Sequence, residues 1–172
     1  DTSTMGLTFD TTQNHFVIAY RDQGDSNKLN AIIGTVDGTS ISFGTEVSLT
    51  SGAALWIKCA YDSNADKFVI AYNRSSAAKT IVATVSGTSI TYGTETELIS
   101  NPFEAVEGVF DPDTNQIIWA YKTGTNVFHS RIGAISGTSI SYGTQVNCCA
   151  NNSNGSVGVT YDTKNNKVIL ST

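Results

Sequence analysis

The sequence predicts an all-β fold of tandem four-stranded antiparallel units, each about 50 residues long, with three units complete and a fourth cut off half-way. Three observations carry this expectation. Gly-Thr-Ser recurs at Gly38, Gly87 and Gly137, at steps of 49 and 50 residues, and each copy continues with Ile, one further residue, an aromatic and Gly-Thr. A fixed period of that length marks a repeated supersecondary block. In each copy an Asp is followed ten residues later by an aromatic: Asp10 to Tyr20, Asp62 to Tyr72 and Asp111 to Tyr121, with Asp162 to Thr172 as a last echo. The runs between them, such as Phe68-Val69-Ile70-Ala71-Tyr72, are short, β-branched and aromatic, and bounded by Asp and Asn, as in strands buried on both faces.

Four strands are expected per unit. The first covers about Met5 to Asp10, Trp56 to Asp62, Ala105 to Asp111 and Ser156 to Asp162, and the second is the buried run. A third covers about Asn30 to Val36, Thr80 to Val85 and Ser130 to Ile135. The fourth begins at Ser40, Ser89 and Ser139 and alternates, with Ile41, Phe43, Val47 and Leu49 on one face and Ser42, Glu46 and Ser48 on the other, the pattern of a strand with one solvated face. The units are bounded at residues 1–50, 51–101, 102–150 and 151–172, in meander order with the first strand innermost.

Antiparallel alternation puts the loops joining strands 1-2 and 3-4 at one end of each unit, and the 2-3 and 4-1 loops at the other. The first end hardly changes between copies. Its 3-4 corners are Asp37-Gly38, Ser86-Gly87 and Ser136-Gly137, tight turns that need a positive φ. At the other end the 2-3 connections differ in length, so that end is the expected recognition surface.

Composition narrows the function classes. Hydrophobic residues make up 40%, enough for a core, whereas charged residues make up only 15% against roughly 25% in an average domain. The surface is therefore dressed in Ser, Thr, Asn and Gly, as in secreted and virion-surface β proteins. The net charge of −5 gives no footprint for nucleic acid or anionic lipid, and no apolar run is long enough to insert in a membrane. The chain starts at Asp1 and reads as a processed or excised piece. Three cysteines cannot all pair internally. Cys59 and Cys148 read as small buried hydrophobes, and a Cys148-Cys149 bridge or a bond involving Cys59 is the alternative.

Tyr61-Asp62, Lys67 to Tyr72 and Val85-Ser86-Gly87-Thr88-Ser89-Ile90 resemble the blades of β-propellers, and in particular the repeated blades of phage tail-fibre and bacterial surface proteins. The resemblance spans the chain and implies a partial β-propeller of three and a half blades. It also implies an adhesive, host-facing role, and it transfers no catalytic residues. Three and a half blades fall short of the four to eight of a closed ring. Two chains would total seven, but both would bring the same half of the broken blade, so further blades of a longer chain, or neighbouring copies, are expected at the open ends.

The candidate ligand-binding residues lie in the varied loops: Trp56, Phe103, Glu104 and Asn152 in the 4-1 connections, and Arg21, Asp22, Asn73, Arg74, Lys122 and Asn126 in the 2-3 connections. Aromatic rings cover the apolar face of a sugar while amide, carboxylate and guanidinium groups pair with its hydroxyls, so glycan is the expected partner and another surface protein the alternative. The same residues also suit blade-to-blade packing and ordinary loop surface. Asn73, Asn151 and Asn154 head N-glycosylation triplets. Asp62, Asn64 and Asp66, and Asp111, Asp113 and Asn115, have a Ca²⁺-like spacing, but they lack the Gly and bidentate Glu of a calcium loop and suit turn capping better. No cofactor is expected. No nucleophile, base or paired carboxylate has a spacing that chemistry needs, so the chain reads as non-enzymatic, with His15 at an exposed turn position and His129 at the start of a strand. The expected location is extracellular, on a cell or virion surface; the rival role is a structural spacer or filament subunit, and a remoter alternative is a fragment of a propeller glycosidase.

Overall fold

The computed structural model describes residues 5–124, 127–149 and 155–171, and among these there are seventeen strands and no helix. The first sheet contains β1 (Met5–Asp10), β2 (His15–Asp22), β3 (Lys28–Asp37), β4 (Ser40–Phe43) and β5 (Val47–Ala53). The second contains β6 (Leu55–Asp62), β7 (Lys67–Arg74), β8 (Ala77–Ser86), β9 (Ser89–Tyr92) and β10 (Thr96–Ile99). The third contains β11 (Ala105–Asp111), β12 (Gln116–Lys122), β13 (Phe128–Ser136), β14 (Ser139–Tyr142) and β15 (Val146–Cys149). A two-stranded sheet of β16 (Gly158–Asp162) and β17 (Lys167–Ser171) follows.

All pairings are antiparallel, in the meander order expected, and no sheet closes on itself. The sheets stack in sequence. If the front of a sheet is the face bearing Phe16 and Ile18, or their equivalents Phe68 and Ile70, and Ile117 and Trp119, then each front packs on the back of the sheet before it. Val17, Ala19, Ala31 and Ile33 on the back of the first sheet meet Phe68, Ile70, Tyr72 and Ile90 on the front of the second. Val69, Ala71 and Val82 meet Ile117, Trp119, Tyr121 and Ile140 in the same way. Small and branched side chains on one face thus accept large ones from the next, which gives the interdigitation a dense core needs. The first strands lie along one another, β1 on β6, β6 on β11 and β11 on β16. Gly6 permits the first of these approaches, since a Cβ there would stand 2.8 Å from the Lys58 Cα.

The fourth strand departs from expectation. It is broken at Gly44–Glu46, Gly93–Glu95 and Gly143–Gln145 into two pieces that both pair with the third strand. Across the break the chain changes face, so Ile90 packs toward the preceding sheet while Leu98 packs toward the following one. The continuous alternation that grouped Ile41 and Phe43 with Val47 and Leu49 therefore splits into a front pair and a back pair. β5 also runs to Ala53, past the expected unit boundary at residue 50.

The constant end is an array of interlocked turns. In the 3-4 corners the paired residues are Asp37 with Ser40, Ser86 with Ser89 and Ser136 with Ser139, which makes Gly the first of two loop residues. Gly38, Gly87 and Gly137 have φ of 59°, 58° and 61°, the positive φ that a type II′ hairpin requires there. In the 1-2 hairpins the leading Asp accepts backbone N–H groups two and three residues on. Asp62 Oδ1 takes those of Asn64 and Ala65, both at 2.9 Å, and Asp111 Oδ1 takes that of Asp113 at 3.0 Å. The closing residues Asn14, Asp66, Asn115 and Asn166 are left-handed, which Asn and Asp tolerate. His15, expected at an exposed turn, instead opens β2 with its ring buried.

The three cysteines are free thiols. Cys59 is buried, and burial pushes its thiol up to about 12. Cys148 is only half-buried although its equivalent Leu98 is fully buried. Leu98 is roofed by the third sheet, whereas the described fourth sheet covers only the inner part of the surface behind Cys148.

Candidate functional site

At the varied end, the second strand of each of the first three sheets carries a tyrosine whose hydroxyl crosses the third strand to the break in the fourth. Tyr20 donates to Glu46, Tyr72 to Glu95 at 2.7 Å and Tyr121 to Gln145 at 3.0 Å. The repeat therefore builds the same polar node three times and varies its partners. In the first sheet Asn30 Nδ2 donates to Glu46 at 2.5 Å. In the second, Arg74 joins Glu95 at 2.8 Å. In the third, His129 stands beside Tyr121 with ring centroids 5.7 Å apart, its Nδ1 3.0 Å from Gln145 Nε2 and 2.9 Å from Asn147 Oδ1. One amide offers a donor and the other an acceptor, so either tautomer of the imidazole is satisfied.

The Glu95 node has a defined pH behaviour. Burial raises the carboxyl, but hydrogen bonds from Tyr72 and Arg74 and the Arg74 charge outweigh it and hold the carboxyl below its ordinary value of 4.5. A carboxyl depressed in the folded state gives stability that is present above its unfolded value and lost as the pH falls through the folded one. Glu95→Gln, the residue type found at Gln145, is expected to flatten the acid limb of the stability profile relative to wild type. Urea midpoints measured from about pH 3 to pH 7 check this.

The third node lines a cleft of about 470 Å³ between the second and third sheets. Glu97, Ser100 and Asn101 come from β10 and the 4-1 loop after it, and Thr123, His129 and Gln145 come from the 2-3 connection, the third strand and the break in the fourth strand of the third unit. Arg131 closes the cleft on one side. It donates to the Leu98 and Gly143 carbonyls, the latter at 2.7 Å, and lies 5.5 Å from the centre of the Tyr142 ring. These groups hold the guanidinium rigidly against the seam and leave its charge paired with neutral carbonyls. Glu97 is paired with Lys79 at 2.9 Å and half of its side chain is exposed. The floor is apolar where Ile99 contributes to it. An adjoining recess of about 320 Å³ shares Asn101 and Thr123 and adds Glu104.

The residues expected to bind ligand are distributed differently from expectation. Arg21, Asn73 and Lys122 occupy one equivalent position, the residue after each tyrosine, on the back of the sheet. Asn73 is 7% exposed and clamps the next 4-1 loop, its Nδ2 donating to the Phe103 carbonyl at 2.7 Å and its Oδ1 accepting the Phe103 N–H at 3.0 Å. The nitrogen a glycan would need is thus committed inside the fold. Lys122 is buried and reaches Glu104 at 3.3 Å. Phe103, 1% exposed, sits in the second core and offers no ring to a surface ligand. Asp22 caps the 2-3 loop through the Gly24 N–H at 2.8 Å. Trp56 is half-buried at a β-bulge with φ of 54° and lines a separate recess of about 180 Å³ with Lys58, Glu107 and Val157. Among the described candidates only Glu104 lies beside the main cleft. Asn126, Asn151, Asn152 and Asn154 fall outside the described residues.

The Ca²⁺-spaced residues act as turn formers. Besides the caps above, Asp66 accepts from Tyr61 at 2.9 Å and from Gln13 of the preceding turn at 3.0 Å, and Asn64 is bonded to Asn115 of the following one. No group of three or more His, Cys, Asp or Glu side chains among the described residues is placed to hold a metal ion. The residues that sequence reasoning passed over are Glu97, Asn101, Arg131 and Gln145. The available signal was the position of Gln145 one place after the repeated Gly-Thr, where the other copies carry Glu46 and Glu95. Scans of the chain against protein-family models, curated proteins and solved structures find no match.

Proposed function

We propose that this chain is a partial β-propeller and a non-enzymatic recognition segment of an extracellular or virion-surface protein, binding a glycan in the cleft between its second and third sheets. The observation that carries the reading is the convergence of hydroxyl, amide, carboxylate and guanidinium groups on an open cleft of about 470 Å³ at the end where the loops vary. Such a donor and acceptor set suits a ligand rich in hydroxyls, and Ile99 provides an apolar patch for its C–H face. The one imidazole of the cleft is engaged by two amides, Gln145 and Asn147, which position its ring.

The test is a glycan array followed by calorimetric titration of the best binder. Asn101→Ala is expected to weaken binding about fivefold, the loss of a hydrogen bond worth on the order of 1 kcal/mol. Trp56→Ala, in the separate recess, is expected to leave it unchanged. Absence of binding across the array, or loss with Trp56→Ala alone, overturns the cleft as the site.

A further inference from the structure

The cleft between the second and third sheets holds a cation that the packing of the stack does not call for. In the third strand Arg131 stands opposite Trp119, at the place where Ile32 stands opposite Ile18 and Ile81 opposite Ile70. Ile81 is 4% exposed and belongs to the core between the first and second sheets. A branched apolar side chain therefore serves the scaffold at this position. The third copy puts a guanidinium there instead, on the wall of the cleft.

That guanidinium is held in place and lacks a counter-ion. Its Nε donates to the Gly143 carbonyl and its Nη1 to that of Leu98, and the Tyr142 ring centre lies 5.5 Å from its central carbon. Two of the five N–H donors of an arginine are committed in this way, and three are left. Among the described residues no carboxylate forms an ion pair with Arg131, because the acids nearby are matched elsewhere. Glu97 pairs with Lys79 at 2.9 Å, and Glu104 of the adjoining recess pairs with Lys122 at 3.3 Å. The charge left over in the cleft is thus positive, in a chain whose net charge is −5. A planar fork of donors fixed from behind by carbonyls matches a carboxylate, with which it forms paired, charge-assisted hydrogen bonds. Ser100 and Asn101 line the same cleft and offer a hydroxyl and an amide to sugar hydroxyls.

We propose that the cleft selects acidic sugars, a uronic or sialic acid residue, with the sugar carboxylate on Arg131 and the ring hydroxyls on the amide and hydroxyl groups beside it. The inference rests on the reading of the cleft as a glycan site, and it makes Arg131 the residue that sets specificity there.

An array of neutral, uronate-bearing, sialylated and sulfated glycans, followed by titration of the best binder and of its carboxyl methyl ester, tests this on the full chain. Wild type is expected to bind uronate-bearing or sialylated glycans, and to bind the methyl ester of the same glycan about ten- to a hundredfold more weakly, the loss that goes with a hydrogen bond to a charged group. Arg131→Gln is expected to bind acid and ester equally weakly, whereas Asn101→Ala weakens both by the same factor and keeps the preference. Arg131→Ile, which carries the residue of the other two copies, takes the place of Arg131→Gln should that variant fail to give native circular dichroism, and the ratio of acid to ester on wild type needs no variant. Binding of neutral or of sulfated glycans that a carboxylate does not improve overturns the acid selectivity and leaves the glycan cleft standing. Acid selectivity that survives the loss of Arg131 overturns its assignment to that residue. Absence of binding to every class overturns the glycan reading and this inference with it.

Discussion

Gly93→Ala is expected to destabilise the fold by about 1–3 kcal/mol, at the upper end of that range because the obstacle is backbone, while the equivalent Gly143→Ala is expected to be close to neutral. A Cβ at Gly93 would lie 1.7 Å from the Thr138 carbonyl oxygen, and one at Gly44 would lie 2.3 Å from that of Thr88. Neither contact can exist without moving the corner of the next sheet. At Gly143 the nearest atom is the Ile132 carbonyl oxygen at 3.8 Å, an ordinary contact. The two halves of the repeated signature are therefore partners across the stack: the Gly-Thr after Phe43 and after Tyr92 makes room for the Gly-Thr-Ser corner of the following unit. Urea unfolding of both variants checks the contrast. Equal losses at the two positions would mean that the glycine is needed for the bend within its own sheet and not for the contact between sheets.

Asn73→Ala is expected to cost about 2–6 kcal/mol, because it strands two buried backbone groups at roughly 1–3 kcal/mol each. The Asn73 amide satisfies both the N–H and the carbonyl of Phe103, and Phe103 in turn holds the 4-1 loop against the second core. Asn73→Asp separates the two bonds. A carboxylate still accepts from the Phe103 N–H but cannot donate to its carbonyl, and it sets two oxygens against each other. The aspartate variant is thus expected to be destabilised as well, and to recover partly when the carboxyl is protonated and regains a donor. Denaturation midpoints near neutral and acid pH read this directly. A variant with unchanged stability and altered ligand binding would return Asn73 to the recognition surface.

The clamp shows how the varied end misleads a reader of the sequence. Arg21, Asn73 and Lys122 differ in type and sit beside loops of different length, which resembles diversification for binding. In the fold they share one back-facing position, and two of them serve one loop: Asn73 clamps it at Phe103 and Lys122 reaches its Glu104. Asn73 and Lys122 do this with side chains that are nearly buried. Phe103 is the same lesson for an aromatic: a ring placed in a loop by the sequence is placed in a core by the stack.

Local chemistry made much of the architecture legible in the chain alone. The period of the Gly-Thr-Ser corners, the Asp that caps each first hairpin and the apolar second strand set the strand order and the end at which the turns are invariant, because capping, positive φ and two-faced burial depend on residues close in sequence. Which face of each sheet meets which, and hence where a cleft opens, depends on contacts between units some 50 residues apart. The break after Phe43, Tyr92 and Tyr142 turns the fourth strand over, and the next sheet brings His129, Arg131 and Gln145 to face Glu97 and Asn101. No pattern within one unit encodes that meeting, because it is made by the packing of one repeat on another.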